Sequence, residues 1–365
     1  MAKVKPFDKI TLLSVVFLVL GGFLIFMSAS LGLLAREGPQ FSQTASSQFL
    51  IGVVGGFIAL FIASYIPYRW YKKFSLYIFA LSVLVTLMVF LPVIGLELNG
   101  AKRWLDLGFI TFQPAELLKI GYVLYLAVWL SARDTKKSLA KIIPFGIISG
   151  ITAGILLLQP DTGTFAVIAA AGGAMFVASG AKIRDIAIIV LAGIFVLTLV
   201  ISVRPYAQDR IKTFFNPSVD SQGAGWQTNQ SLYAVGSGGM FGRGFGQSVQ
   251  KFIYLPEPTS DSIFAVYSEE FGFLGGVVLI FAFMLFALRG LWIAARAPDM
   301  FGGLIAVGIV ILIMSQSFLN IGSMINIFPI TGLPLIFVSH GGSALFMALF
   351  SVGILLNISR ARRIS

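Results

Sequence analysis

The chain has 365 residues, of which 57% are hydrophobic and 11% are charged. A soluble domain carries roughly 25% charged residues, so this chain has too little polar surface for a water-soluble globule, and its mean hydropathy of +0.92 agrees. The net charge of +11 lies in short basic clusters between apolar blocks, which is typical of membrane topology rather than of nucleic-acid binding. The absence of cysteine and the single histidine, His340, exclude thiolate catalysis, disulfides and a multi-histidine metal site.

Ten apolar blocks follow one another along the chain. About twenty helical residues cross roughly 30 Å of hydrocarbon, so we predict an all-α polytopic membrane protein with about ten transmembrane helices in one domain over residues 1–365. The first block is too long for a signal-peptide core and precedes no clear cleavage site, so we interpret it as a spanning helix. The predicted spans are 10–34, 47–66, 74–94, 114–131, 141–158, 162–180, 183–203, 262–288, 300–326 and 335–358.

Lysine and arginine are distributed unequally between the two sides of the membrane. With ten spans both termini lie on one side, and the segments of that side hold 17 basic residues against eight on the other. The positive-inside rule therefore places both termini in the cytoplasm.

Two outer segments stand out. The segment of about 95–113 contains Lys102, Arg103 and Trp104, and it is predicted as a short interfacial helix with an aromatic anchor. The long connection of about 204–261, between the seventh and eighth helices, holds nine aromatic residues. Such a density favours a structured cap on the outer membrane surface over a disordered loop.

Glu116 and Lys119 lie at the outer end of the fourth span, three residues apart. On a helix they share a face and can form an ion pair. Lipid cannot solvate such a pair, so it must face protein or a wet cavity. A structural salt bridge and a functional pair, in which Lys119 meets a lipid phosphate, fit this spacing equally well.

Two aspartates follow prolines at outer turns. For Asp161, in the run Gln-Pro-Asp-Thr-Gly, helix capping is the favoured role. Asp261 follows Pro256 and Pro258 near the start of the eighth span, where capping is again the ordinary role of an acid. The functional alternative is a carboxylate held at the water–membrane boundary, where it can accept a proton from a substrate hydroxyl.

Further polar residues lie inside the last spans. Glu269 and Glu270 are adjacent, so they point about 100° apart and cannot both face one cavity. At least one of them is predicted to form interior hydrogen bonds. Gln316, Asn320 and Ser323 share one helical face, which must face protein.

Five segments resemble, in order and spacing, the SEDS family of cell-wall proteins (shape, elongation, division and sporulation). The run Lys-Phe-Ile-Tyr-Leu-Pro-Glu-Pro at 251–258 looks like the division branch, FtsW, more than the elongation branch, RodA. The resemblance implies a glycosyltransferase that polymerises lipid II into glycan strands during cell division and releases undecaprenyl pyrophosphate. The five segments are 100–119, 159–163, 230–247, 251–272 and 320–343.

The resemblance also implies a set of site residues. Asp261 aligns with the catalytic carboxylate of the family, as a general base, and Glu116 and Lys119 align with its buried charged pair. Basic residues are the candidates for binding the pyrophosphates. The full set of expected substrate-binding residues is Glu116, Lys119, Arg103, Lys102, Arg210, Lys212, Lys251, Gln230 and Ser231.

The chain departs from the family pattern at two places. His340 stands where the family often has tyrosine, and Thr259-Ser260 stand where it often has His-Thr. The second departure argues against a histidine that assists the base. His340 is therefore interpreted as a hydrogen-bonded structural residue rather than a ligand.

The implied substrates are lipid II and undecaprenyl-linked glycan, the implied partner is a class B penicillin-binding protein (the transpeptidase), and the implied location is the bacterial inner membrane. No nucleic-acid partner and no metal site of the protein are expected, and a divalent cation, Mg²⁺ or Mn²⁺, is the one cofactor left open. Three alternatives stay open: a lipid II flippase, which intramembrane charges at Glu116, Lys119 and Glu270 would suit, a non-catalytic scaffold for the transpeptidase, and an elongation polymerase of the RodA type.

Overall fold

The computed structural model describes residues 6–37, 40–98, 100–106, 108, 111–132, 139–217, 220 and 223–361. Within these ranges the chain is mainly helical, with one small antiparallel sheet. The helices are α1 (Lys9–Glu37), α2 (Gln40–Ser47), α3 (Gly56–Tyr65), α4 (Tyr68–Leu87), α5 (Pro114–Ala132), α6 (Leu139–Leu158), α7 (Thr162–Ala178), α8 (Ile183–Val203), α9 (Pro205–Phe215), α10 (Ala224–Ser237), α11 (Ile263–Ala295), α12 (Met300–Met324) and α13 (Gly342–Arg360). The strands are β1 (Gly95–Leu98), β2 (Ala101–Asp106) and β3 (Thr111–Phe112).

The spanning helices agree with the predicted architecture. Nine helical segments in the described ranges are long and apolar enough to cross a membrane, and α7 is a shorter apolar helix of 17 residues that packs against α12. The second span runs without a break from α2 through a π-helical segment, Gln48–Gly55, into α3. The prediction of a polytopic helical membrane protein with about ten helices is therefore confirmed.

The core of the bundle lies around α12 and α13, which are mostly buried, whereas α8 is almost entirely exposed. Small residues allow this close packing. A Cβ atom on Gly353 of α13 would lie 2.4 Å from the Leu60 carbonyl oxygen, and one on Gly308 of α12 would lie 2.6 Å from Val123. Glycine at these points lets the backbones approach, as it commonly does in membrane bundles.

The prediction of a helix over 95–113 is wrong, because the segment forms the three-stranded sheet. Strands β1 and β2 pair as a hairpin with Leu98 opposite Ala101, and β3 pairs with the end of β2. Gly100 has a φ of +74° in the connecting turn. The Asn-Gly dipeptide at 99–100 is a strong hairpin signal, and it outweighs the aromatic and basic content that suggested a helix.

Two predicted boundaries also differ. The third spanning helix begins at Tyr68, directly after Pro67, and not at residue 74. Its first turns can be helical because their basic residues stay exposed while Tyr68 and Tyr71 pack inward. The last one begins at Gly342 rather than near 335. Residues 335–341 are irregular because their backbone and side-chain groups bond to the segment around Ser260.

The long connection between α8 and α11 is structured, as predicted. It contains α9 and α10, followed by turns over 238–262. These turns pack on a kink in α11, where Gly272 has φ +65° and ψ −165°. The backbone groups that the kink releases bond to the turns: Phe273 N–H donates to the Gly239 carbonyl, and Arg243 N–H donates to the Glu269 carbonyl. The kink and the turns therefore stabilise each other.

Candidate active site

Asp261 is the last residue but one before α11. The cap residue of α11 is Ser262, and α11 begins at Ile263, so the capping interpretation of Asp261 is wrong. Its side chain is buried, and its Oδ2 accepts a hydrogen bond from the Gln227 amide of α10 over 3.2 Å. Its Oδ1 is buried and has no hydrogen-bond partner in the part of the chain described. Because buried acceptors are usually satisfied, this free oxygen is the atom most suited to accept a proton.

Arg210 of α9 and this carboxylate both lie beside Gly332. A Cβ on Gly332, which has φ +68°, would lie 3.7 Å from Arg210 Nη2 and 4.0 Å from Asp261 Oδ2. The Arg210 guanidinium stacks on the Tyr206 ring, 4.3 Å from its centroid, and donates to the Tyr206 hydroxyl. Burial lowers the pKa of Arg210, but a guanidinium remains charged at neutral pH. A carboxylate and a fixed cation thus flank one small residue.

The surroundings of Asp261 tune its acidity. Burial raises the pKa of Asp261 to about 6, the hydrogen bond from Gln227 opposes this rise, and the negative charge of Glu257 adds to it. The positive charge of Arg210 acts in the lowering direction. A carboxyl group with such a pKa is ionised at neutral pH yet is a stronger base than an exposed aspartate.

Arg103 of β2 lies at the same end of the bundle. It donates from Nε to the Gln159 carbonyl over 3.2 Å and from Nη2 to the Pro160 carbonyl. The next residue, Asp161, caps α7 because its Oδ1 accepts from Thr164 N–H over 3.1 Å. The capping interpretation of Asp161 is therefore confirmed. The charge of Arg103 lowers the pKa of Arg210, and the charge of Asp161 raises it.

The predicted ion pair between Glu116 and Lys119 is present, with 2.8 Å between Lys119 Nζ and Glu116 Oε2. Lys119 also donates to Gln316 Oε1 over 2.6 Å, and Gln316 in turn donates to the Pro334 carbonyl over 3.0 Å. One helical turn further along α12, Asn320 donates to the carbonyl of Asp261. The polar face of α12 therefore connects the ion pair to the segment that carries the carboxylate.

The ion pair lines a small, half-open pocket of about 30 Å³ between α5, α12 and α13. Its other lining residues are mainly apolar, among them Ile313 and Met347. This placement agrees with the rule that intramembrane charges face protein or a cavity rather than lipid.

Lys251 does not belong to this site. Its side chain is fully buried, and its ammonium donates to Glu270 Oε1 over 2.6 Å, to the Gly246 carbonyl over 2.9 Å and to Ser28 Oγ over 3.1 Å. All three N–H donors are used inside the protein. The expectation that Lys251 contacts a pyrophosphate is therefore contradicted.

Glu269 and Glu270 both form interior hydrogen bonds, as predicted for at least one of them. They share Ser248, whose backbone N–H donates to Glu270 over 3.4 Å and whose hydroxyl donates to Glu269, and their other partners differ. Glu270 binds Lys251 and Ser28. Glu269 accepts from Ser248 Oγ over 2.6 Å and from the Val249 N–H over 3.1 Å. Both carboxylates hold the turns of 238–262 against α11.

Four other predicted residues lie apart from Asp261 or inside the protein. Lys102 is opposite Glu97 in the β-hairpin, and Lys212 is exposed and pairs with Asp209. Substrate contacts for Lys102, Lys212 and the buried Gln230 stay predictions. A contact for Ser231 is contradicted, because its hydroxyl is fully buried between α10 and α12 and donates to Met324 Sδ.

His340 is structural, as interpreted. Its ring stacks on Phe26 with 5.8 Å between centroids, and its backbone N–H donates to the Thr259 carbonyl over 2.7 Å. Burial lowers the pKa of His340, so the ring is neutral at pH 7.

Gln227 is the site residue that sequence reasoning missed. Gln227 lies one helical turn before Gln230 and Ser231, which were predicted as substrate-binding residues, on α10. This spacing is the one feature of the sequence that could have indicated it. The glutamine binds both Asp261 and Ser262 Oγ.

No group of three or more histidine, aspartate or glutamate side chains in the described ranges could hold a metal ion. Mg²⁺ usually keeps several water ligands and is bound by one or two carboxylates together with substrate phosphates. The divalent cation that the sequence left open therefore stays open.

The chain was compared with known proteins. A family model described as "Cell cycle protein", for FtsW, RodA and SpoVE, matches residues 9–364. Stage V sporulation protein E of Bacillus subtilis (strain 168) is 34% identical over 364 residues, covering 99% of each chain. The probable peptidoglycan glycosyltransferase FtsW of Trichlorobacter lovleyi is 36% identical over 369 residues, covering 100% of this chain and 96% of the relative.

Solved structures agree. The structure of a peptidoglycan synthase complex that coordinates polymerization and crosslinking gives a TM-score of 0.80 at 25% identity over 98% of both chains. The crystal structure of the rod shape determining protein RodA of Thermus thermophilus gives a TM-score of 0.72 at 25% identity, again over 98% of both chains. The protein is therefore a multi-pass membrane protein that belongs to the FtsW, RodA and SpoVE family.

Proposed function

We propose that the chain is a peptidoglycan glycosyltransferase that polymerises lipid II into glycan strands and releases undecaprenyl pyrophosphate. Several relatives are named as probable enzymes of this kind. The observation that carries the proposal is the buried Asp261 carboxylate, whose Oδ1 has no hydrogen-bond partner among the described residues and whose Oδ2 lies, like Arg210, beside Gly332. A base beside a fixed cation suits a reaction that removes a proton while an anion departs.

The reaction needs one base. The 4-hydroxyl of the GlcNAc of lipid II attacks the anomeric carbon of the terminal MurNAc of the growing strand. The new O4–C1 bond forms as the bond from C1 to the pyrophosphate oxygen breaks, and the pyrophosphate keeps the bonding electrons. The hydroxyl proton passes to Asp261, and the unpartnered Oδ1 is the atom placed to receive it. A single displacement of this kind inverts the anomeric carbon.

The leaving group needs positive charge. Arg210 lies near Asp261 beside Gly332, the charge of Arg103 acts on Arg210, and guanidinium groups bind phosphate oxygens through paired hydrogen bonds. Arg103 already uses Nε and Nη2 on the Gln159 and Pro160 carbonyls, so Arg210 is the stronger ligand candidate. Arg103 then fixes the turn beside it.

The test is glycan synthesis by the purified protein, with a cognate class B penicillin-binding protein and lipid II. Asp261→Asn keeps the shape of the side chain and removes the base, so we expect synthesis to fall by at least about a hundredfold, the typical contribution of general base catalysis. Asp106→Asn is the matched control, because Asp106 is exposed on β2 and its Oδ1 only accepts from Gly108 N–H. Full activity of Asp261→Asn would contradict the assignment of Asp261 as the general base.

The buried Glu116–Lys119 ion pair inside the bundle is the observation behind a second candidate, a lipid II flippase. A transporter needs a polar route through the membrane midplane. Translocation of lipid II in reconstituted vesicles that is insensitive to Asp261→Asn, together with no glycan synthesis by the wild type, would favour the flippase over the polymerase.

We further propose a class B penicillin-binding protein as the partner, a role in division rather than elongation, and an inner-membrane location with both termini in the cytoplasm. A structural neighbour belongs to a peptidoglycan synthase complex, which supports such a partner.

Several relatives are named FtsW, and the run at 251–258 resembles that branch, which supports a division role. Complementation of a division-defective strain, but not of a strain defective in elongation, is the expected result.

A further inference from the structure

Two consecutive backbone carbonyls just before Asp261 accept hydrogen bonds from one neighbouring segment. His340 N–H donates to the Thr259 carbonyl over 2.7 Å. The Ser339 hydroxyl donates to the Ser260 carbonyl over 2.6 Å. The position of the carboxylate therefore depends on where residues 339 and 340 lie.

A third bond completes this support. Asn320 of α12 donates to the carbonyl of Asp261 itself over 2.6 Å, and the same amide group donates to the Leu333 carbonyl over 2.8 Å. Three successive carbonyls, from residue 259 to residue 261, are thus each fixed by a different donor. Irregular backbone that is buried needs such partners.

Gln48 holds the segment of residues 339–341 in turn. Its Nε2 donates to the Ser339 carbonyl over 3.1 Å, and its Oε1 accepts from the Gly341 N–H over 3.0 Å. The amide therefore bridges the backbone on both sides of His340. Gln48 is only 2% exposed, so water does not replace these bonds.

The local fold places Gln48 for this contact. It is the first residue of the π-helical segment Gln48–Gly55, in a span that packs on α13. Segments of π-helix are rare and often lie at functional sites. A Cβ on Gly342, at the start of α13, would lie 3.6 Å from both Ile51 Cβ and the Ser47 carbonyl oxygen, so the two helices meet at the level of Gln48.

We propose that Gln48, which does not touch the Asp261 side chain, is a positioning residue for the catalytic carboxylate and acts through the backbone of residues 339–341. The inference rests on the proposed function, because it assigns Asp261 the role of the base. Without the amide, one buried carbonyl and one buried N–H lose their partners, and the segment must shift to satisfy them. A shift of about 1 Å at a reacting group can cost roughly a hundredfold in rate.

The experiment is lipid II polymerisation by the full-length protein with its cognate transpeptidase, in the Gln48→Met variant. Methionine keeps the length of the side chain and removes both hydrogen bonds. We expect kcat to fall by about tenfold to a hundredfold, while KM for lipid II changes little, because the substrate contacts remain. We also expect the acidic limb of the pH profile to move to lower pH, because a looser segment hydrates the carboxyl group.

Asn357 offers a matched control at another point of α13. Its Oδ1 accepts from Tyr68 N–H over 2.9 Å, and its Nδ2 donates to the Ser64 carbonyl over 2.8 Å. Asn357→Leu removes the same kind of backbone bridge far in sequence from residues 339–341. We expect a similar loss of thermal stability with unchanged kcat and pH profile.

Three outcomes decide the matter. Wild-type kcat and pH profile in Gln48→Met overturn the positioning role, and so does an equal fall of kcat in Asn357→Leu. If Gln48→Met does not fold, Ser339→Ala is measured in the same way, since it removes the bond to the Ser260 carbonyl, and wild-type kinetics there overturn the role. An inactive wild type overturns the proposed function instead.

Discussion

The chemistry of Asp261 depends on its proton affinity. Burial raises its pKa to about 6, so the carboxyl group is protonated below that pH and ionised above it. Only the ionised form can act as a base. We therefore expect kcat/KM for polymerisation to fall about tenfold for each pH unit below 6 and to level off above it, up to the next titration.

The measurement is the initial rate of glycan synthesis on both sides of pH 6, with thermal unfolding at each pH as the control for folding. Arg210 and Gln227, which contact or face the carboxylate, do not change charge in this range. A rate that stays constant through the pKa of about 6 would contradict the role of Asp261.

Gly332 lies beside both the base and the guanidinium, and its φ of +68° disfavours any other residue. Gly332→Ala adds a methyl group 3.7 Å from Arg210 and 4.0 Å from Asp261. We expect about 1 kcal/mol of destabilisation from the strained φ and a further loss of activity of about tenfold, because the methyl group narrows the space for the reacting atoms.

Gly100→Ala separates these two effects. Gly100 has a similar φ of +74°, and a Cβ there meets no atom within 4 Å. It should lose a similar amount of thermal stability and keep its polymerisation rate. Equal rates in the two variants would show that Gly332 is needed only for its backbone conformation.

At the scale of elements, the apolar blocks predicted the helices well, because a span of about twenty apolar residues has few other uses. The hairpin over β1 and β2 was missed because its aromatic and basic residues also fit an interfacial helix. The late start of α13 could not be predicted, since residues 335–341 are apolar enough for a span. Their irregular backbone follows from tertiary bonds to Thr259 and Ser260.

The site was predictable to the extent that its chemistry lies in single residues. Asp261 and the Glu116–Lys119 pair stand out as carboxylates at the edge of apolar blocks, and the structure gives each a buried polar setting. Gln227 and Gln48 could not be found, because a buried amide looks like any polar residue until its partner is known. Lys251 was wrongly predicted to bind substrate, because a lysine in a loop is usually accessible to solvent. The structure instead encloses its side chain completely.

The pair of Lys251 and Glu270 joins three elements. Lys251 lies in the 238–262 turns and Glu270 lies on α11, so their ion pair joins these two elements. Lys251 also donates to Ser28 of α1, which adds the third element. Removing one partner leaves a buried, uncompensated charge, which typically costs about 3–5 kcal/mol. We expect Lys251→Met and Glu270→Gln each to lower the thermal stability of the detergent-solubilised protein by an amount of this order.

The double variant Lys251→Met/Glu270→Gln should lose less than the sum of the two single variants, because it leaves no unpaired charge. Lys212 and Asp209 provide the control, since their side chains are 65% and 71% exposed in an ion pair of 3.7 Å. Lys212→Met should cost at most about 1 kcal/mol. Strictly additive losses in the buried pair would refute a coupled role.

At the scale of the whole molecule, the polar site lies at one end of an apolar bundle. Asp261 lies in the connection before α11, Arg210 lies on α9, and Arg103 lies on β2. The exterior of spanning helices such as α8 is instead apolar and exposed. A substrate with a lipid tail and a polar headgroup matches this division. The enzyme must then face the side of the membrane where its precursor is exposed.

Membrane orientation can be tested with single cysteines, because the chain has none of its own. Ile253, in the turns before Asp261, is 73% exposed, and Ile183, the first residue of α8, is 86% exposed. With 17 basic residues on the predicted inner side against eight on the outer side, we expect an impermeant maleimide to label Ile253→Cys in right-side-out vesicles and Ile183→Cys only after permeabilisation. The cysteine-free parent is the control for background labelling, and both variants should retain polymerisation. The reverse pattern would place Asp261 on the cytoplasmic side, where a polymerase of exported lipid II could not reach its substrate.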